Sequence, residues 1–154
     1  GYIAIQDKKM RARAAKVALY TASNVCSIAQ YGAIGALEGP QDCIEEFKTE
    51  LKIRRDLFYA GLKDVTGGAL SGNPPNGAFY AFVKIDPAWA KSKGLYQGES
   101  LSWTVVEHII KHSRVGCVPG LDSGPASEGY IRFCTCRDRK ELSGALESMR
   151  TVFA

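Results

Sequence analysis

The sequence has no run approaching the roughly 20 apolar residues that a membrane span requires, and its start lacks the layout of a signal peptide. It has little charge of one sign: the formal net charge is +4, spread along the chain, a mild balance that says little about nucleic acid or acidic membranes. Histidine is scarce. The only two, His108 and His112, stand four apart on one predicted helix with isoleucine at 109, so the H-E-x-x-H zinc motif is absent and solvated helix histidines are the ordinary reading. There is no G-x-S-x-G elbow, no G-x-G-x-x-G, and Gly67 to Gly72 lacks the Gly-Lys-Ser/Thr of a phosphate loop. A self-contained hydrolase is not expected on these grounds. Five cysteines, Cys26, Cys43, Cys117, Cys134 and Cys136, form an odd set without framework spacing, which predicts free thiols and a reducing compartment, the cytoplasm or an organelle matrix. Cys134-x-Cys136, placed in a strand, is read as sending its two thiols to opposite faces, a poor arrangement for one zinc.

What remains is ordinary globular material: 154 residues, 45% hydrophobic and 23% charged, enough for one domain or one domain and part of another. Gly1 to Ile5 reads as a strand buried on both faces, which suggests a segment of a longer protein. Asp7 to Leu19 has helical composition, with Met10, Ala14, Val17 and Ala18 on one side and basic residues opposite. Ser27 to Leu37 is small and apolar throughout, which predicts a buried helix. Gly39-Pro40 separates it from a long helix, about Pro40 to Val65, in which Ile44, Phe47, Leu51, Phe58, Leu62 and Val65 recur at helical spacing. Gly67-Gly68 ends that helix.

The pattern then changes. Asn73 to Gly77 is a rigid turn, and Ala78 to Ile85 is a strand rich in aromatic and β-branched residues. A polar loop from Asp86 to Glu99 leads to a helix that Ser100 caps and that ends near His112. A short strand over Val115 to Val118, a glycine-rich loop over Gly120 to Gly129 and a strand over Tyr130 to Cys136 follow. Asp138 and Glu141 make a D-x-x-E start for a closing helix with Leu142, Ala145, Leu146 and Met149 facing inward. The fold class is α+β: a short mixed or antiparallel sheet covered by helices, behind a helical lead-in.

Two segments are more specific: Pro74-Pro75-Asn76-Gly77-Ala78-Phe79-Tyr80-Ala81-Phe82, and Gly116-Cys117-Val118-Pro119-Gly120 with Glu128-Gly129-Tyr130-Ile131-Arg132-Phe133. Together with Ser23 to Gln30 and Gly1-Tyr2, they resemble, in order and spacing, the carboxyl-terminal part of the class I/II pyridoxal-phosphate-dependent aminotransferases of fold type I. The resemblance implies that residues 1–39 close the large cofactor-binding domain, 40–66 form the interdomain helix and 67–154 the small domain. It implies a homodimer that exchanges an amino group between an amino acid and a 2-oxo acid with pyridoxal 5'-phosphate. It makes Arg132 the residue that grips the substrate α-carboxylate; taken alone, Arg132 would read as a surface ion-pair residue, whereas a guanidinium on a strand is a rigid bidentate partner for a carboxylate. Ser23 and Asn24 would lie near the partner subunit's cofactor, though a helix cap explains either equally well. Tyr80 would be close to substrate, with at least one of Phe79 and Tyr80 serving only to pack a core.

Some residues depart from the family pattern. Ser123 stands where the family commonly has phenylalanine, and Cys134 where it often has serine, which leaves substrate preference open. The family's Schiff-base lysine sits in an S-x-S-K setting shortly before the sequence corresponding to Gly1. None of the eleven lysines here has that context, so the 154 residues by themselves are expected to be inactive. Alternatives that share the carboxylate arginine are a C–S lyase or an aminocyclopropane-carboxylate-synthase-like enzyme; outside enzymes, a binding domain that retains the fold remains open.

Overall fold

The structure, a computed structural model, describes residues 2–96, 98 and 100–154. Two compact units are formed, Gly1–Cys43 and Ile44–Ala154.

The first unit holds helices α1 (Lys8–Ala22) and α2 (Ser27–Glu38). The Asp7 carboxylate caps α1 by accepting from the Met10 N–H at 2.6 Å, satisfying one of the donors that a helix start leaves free. The expected strand over residues 1–5 does not form: Tyr2 to Ile5 are irregular, Tyr2 is 91% exposed, and Gly1 lies outside the described residues. A strand needs a neighbour to complete its ladder, and no strand occurs in this unit among its described residues. Burial of α2 is likewise corrected. Ile28, Tyr31 and Leu37 are exposed, and neither helix of this unit has a buried residue.

The second unit is built around a four-stranded antiparallel sheet, β1 (Leu70–Ser71), β2 (Tyr80–Ile85), β3 (Val118–Pro119) and β4 (Tyr130–Cys134), in the order β1-β2-β4-β3. Its helices are α3 (Asp42–Thr66), α4 (Pro87–Ser92), α5 (Leu101–Ser113) and α6 (Arg139–Phe153). Gly67 and Gly68, at φ 56° and 96°, adopt the left-handed backbone that stops α3. Strict alternation puts Ala81, Val83 and Ile85 of β2, with Ile131 and Phe133 of β4, on one buried face. Phe58 and Leu62 of α3, Val105 and Ile109 of α5, and Leu142, Leu146 and Met149 of α6 join them in one core, with the Phe58 and Phe133 rings 5.4 Å apart. The apolar stripe of α3 is used only in its second half: Ile44 and Phe47 are exposed.

Sequence signals set several boundaries correctly. The Ser100 hydroxyl accepts from the Trp103 N–H and the Asp138 carboxylate from the Glu141 N–H, starting α5 and α6 as expected. Others shift. The strand expected from Ala78 begins at Tyr80, because Ala78 sits at φ 64°, outside the strand region. The polar loop after Asp86 contains α4, started by the Asp86 side chain on the Ala88 N–H with Pro87 at the first turn. The glycine-rich loop contains two single-turn 3-10 segments, Gly120–Ser123 and Pro125–Ser127.

An ion network ties α3 to α6. Glu50 accepts from Arg54 at 2.7 Å and from both Nε and Nη2 of Arg139. Those hydrogen bonds, Arg139 first and Arg54 second, hold the Glu50 carboxyl at about 2, below its ordinary 4.5. A depressed carboxyl contributes stability above the unfolded value and loses it as pH falls toward the folded one. The thermal midpoint should therefore drop more steeply between pH 4.5 and 2 in the native chain than in Glu50→Gln. Melts followed by circular dichroism at several pH values check this; parallel curves would show that the network contributes nothing.

Candidate functional site

The sheet face opposite the core is open and carries Tyr80 and Arg132, two of the residues singled out by sequence. Register alone places them: Phe82 opposes Arg132, Tyr80 opposes Cys134, Lys84 opposes Tyr130, and Val118 flanks Arg132 from β3. Two diagonal contacts cross between β2 and β4. The Arg132 guanidinium carbon lies 4.9 Å from the centroid of the Tyr80 ring, a cation–π contact. One step along, Phe82 and Tyr130 stack with centroids 5.0 Å apart and an interplanar angle of 1°.

Arg132 is half-buried, and among the described residues it forms no ion pair and donates no side-chain hydrogen bond. Several other arginines of this unit behave differently. Arg54 bonds Glu50 and the Cys136 carbonyl; Arg55 bonds Asp56 and the Pro75 carbonyl at 2.7 Å, pinning the Pro-Pro turn that delivers β2. The guanidinium of Arg132 thus rests on an aromatic ring with its fork of N–H donors unused among the described residues, an arrangement suited to an external carboxylate.

Two expectations need correction. Phe79 and Tyr80 are 39% and 43% exposed, so neither is a core residue: Phe79 precedes the strand and Tyr80 begins its open face. Ser23 and Asn24 lie in the first unit between α1 and α2. Ser23 is the residue that ends α1, at φ 57°, while Cys26 precedes α2 with no side-chain cap, so neither Ser23 nor Asn24 caps that helix.

Glu128 escaped the sequence reading. Its carboxylate accepts from the Ser102 N–H at 2.9 Å and from the hydroxyls of Ser102 and Ser100 at 2.8 and 2.9 Å, closing the start of α5 from 26 residues away. Burial raises its carboxyl, but these donors together with the Leu101 N–H outweigh burial and hold it below the ordinary value. The residue anchors the loop that launches β4 and hence Arg132. No local spacing could have revealed it. A cleft of about 320 Å³ beside it, lined by Lys84, Tyr96, Ser100, Leu101, Glu128 and Gly129 among others, does not include Arg132.

All eleven lysines are exposed. A lysine that forms a Schiff base near neutral pH needs a desolvated setting or a cationic neighbour to release its proton. The residues present therefore fit recognition of a carboxylate and do not fit the anchoring of a carbonyl cofactor.

Fold and face define a small antiparallel α+β domain that presents an uncommitted cation among aromatic rings. A family model described as aminotransferase class I and II matches residues 1–149. A probable aspartate aminotransferase of Methanocaldococcus jannaschii is 32% identical over 99% of this chain and 38% of its own length. The aspartate aminotransferase of Bacillus subtilis is 32% identical over 92% of the chain and 34% of its own. Among solved structures, an aromatic aminotransferase from Pyrococcus horikoshii superposes with TM-score 0.74 at 32% identity, over 89% of this chain and 34% of that one. The chain belongs to the class I and II aminotransferase family. It spans little more than a third of the length of these relatives.

Proposed function

We propose that this chain is the carboxyl-terminal part of a pyridoxal-phosphate-dependent aminotransferase, and that Arg132 holds the α-carboxylate of its amino-acid and 2-oxo-acid substrates. The observation that carries the reading is the half-buried guanidinium, braced by Tyr80 and without an anionic partner among the described residues. In such an enzyme residues 1–39 end the cofactor-binding domain, 40–66 link the domains and 67–154 form the small domain. Its sites are shared in a homodimer, with Ser23 and Asn24 near the partner's cofactor. Pyridoxal phosphate, when bound, supplies the electron sink for chemistry at the amino-acid α-carbon. The role of this chain is different. Arg132 binds and orients the substrate through two parallel charge-assisted hydrogen bonds, Tyr80 limits the swing of the guanidinium, and Glu128 fixes the start of the strand carrying it. The names of the matching relatives, aspartate and aromatic aminotransferases, support amino transfer over lyase chemistry. The decisive experiment is substitution of Arg132 in the longer protein, with kinetics on substrates that have and lack an α-carboxylate.

The 154-residue chain itself should carry no transaminase activity, because its lysines are solvated and none has the S-x-S-K context. Incubation with pyridoxal phosphate, borohydride reduction and peptide mapping should give scattered substoichiometric labelling. Stoichiometric labelling of a single lysine would refute this.

A further inference from the structure

The end of β4 holds a feature that carboxylate recognition does not use. The Sγ atoms of Cys134 and Cys136 lie 3.1 Å apart, and both residues are exposed. This overturns the expectation of opposite faces: side chains in an extended segment alternate, so residues two apart share a side and only Thr135 between them points the other way. Thr135 is buried and doubly tied to the Phe79 carbonyl, by its N–H at 2.8 Å and its hydroxyl at 3.0 Å. The Cys136 carbonyl accepts from Arg54 at 2.6 Å. The backbone around both thiols is therefore held from two sides. A disulfide measures about 2.05 Å between sulfurs, so closure needs only about 1 Å of further approach.

We propose that Cys134 and Cys136 form a redox site that a small-molecule disulfide converts to an intramolecular disulfide. One cysteine thiolate attacks a sulfur of the oxidant and expels the first oxidant thiolate, leaving a mixed disulfide on the protein. The neighbouring thiolate attacks that protein sulfur, forms the Cys134–Cys136 bond and expels the second. The two protein thiols lose two electrons and two protons, and the oxidant disulfide becomes two thiols. The pair is exposed and encloses a very short loop, so the bond restrains the unfolded chain little and remains open to reduction. Cys117 differs in access: burial pushes its thiol up to about 12, whereas the Cys136 thiol is exposed and pushed up chiefly by its hydrogen bond with Cys134.

The test uses the reduced chain incubated with excess oxidised glutathione and quenched in acid. Trypsin releases Phe133 to Arg137 as one peptide containing both cysteines and no other. Two of the five thiols should disappear, the peptide should weigh less by two hydrogens, and dithiothreitol should restore it. Cys134→Ser and Cys136→Ser should each accumulate a glutathione adduct on this peptide, because the resolving sulfur is gone. Retention of all five thiols overturns the proposal. So does a native peptide that keeps glutathione as fully as the two variants, or thiol loss confined to Cys26 and Cys43.

Discussion

Arg132→Lys in the longer enzyme should lower the second-order rate constant for amino acid roughly ten- to hundredfold, with the absorbance of the bound cofactor unchanged. Lysine keeps the positive charge and loses the planar fork, so one of two charge-assisted hydrogen bonds to the carboxylate is removed. A bond of that kind contributes about 1.5–3 kcal/mol, and each 1.4 kcal/mol is a factor of about ten. The Tyr80 contact also weakens, because a flat guanidinium 4.9 Å from the ring centroid becomes a compact ammonium that prefers water. Amines without an α-carboxylate should react at nearly native rates. Steady-state kinetics on matched acid and amine substrates, with a thermal melt as control, make the measurement. A lowered melting temperature with unaltered amino-acid kinetics would make Arg132 a structural residue and remove the basis of the site.

Gly120→Ala should be among the most destabilising single-methyl changes in the second unit. Gly120 is buried where the Val118-Pro119-Gly120 segment turns beneath the start of β4. A Cβ there would fall on the Ser127 carbonyl oxygen, 2.8 Å from the Tyr130 carbonyl oxygen and 2.9 Å from the Tyr130 Cβ. Two of these neighbours are backbone atoms and cannot rotate aside, so the loop or the strand must move. Overpacking of this severity costs about 3 kcal/mol, or roughly 10–20 °C of melting temperature for a domain near this size. Because Tyr130 leads directly into Arg132, the same shift should weaken carboxylate binding at temperatures where the variant is still folded. Thermal melts of Gly120→Ala beside Gly116→Ala, where an added Cβ meets nothing within 4 Å, isolate the effect. Equal midpoints would mean that the loop relaxes freely and that its glycine is not required by packing.

Several helix starts were legible because their causes are local. Ser100 and Asp138 each cap a helix through a backbone N–H three residues on, a relation visible in four letters of sequence. The 3.6-residue period of Leu142, Leu146 and Met149 likewise sorts inside from outside without reference to any other segment, whereas the faces of β2 did not sort: at least one of the Phe79 and Tyr80 rings reads as core, and both stand exposed. The family resemblance was legible for another reason: motifs such as Pro74 to Phe82 and Gly129 to Phe133 hold their order and spacing whatever the packing around them.

Tertiary structure decided everything that depends on how distant segments register. What Arg132 touches turns on β2 lying antiparallel to β4 with Phe82 opposite Arg132, which brings in a tyrosine more than fifty residues away and, among the described residues, no carboxylate. Glu128 is an anonymous acid until the start of α5 arrives beside it. The thiols of Cys134 and Cys136 share a side for a local reason, the period of two in an extended segment, which the opposite-face expectation contradicted. Apolarity by itself misled in α2 and in the first half of α3. Composition sets how much a surface gains by leaving water, but only an opposing surface realises that gain, and Ile28, Tyr31 and Phe47 are exposed.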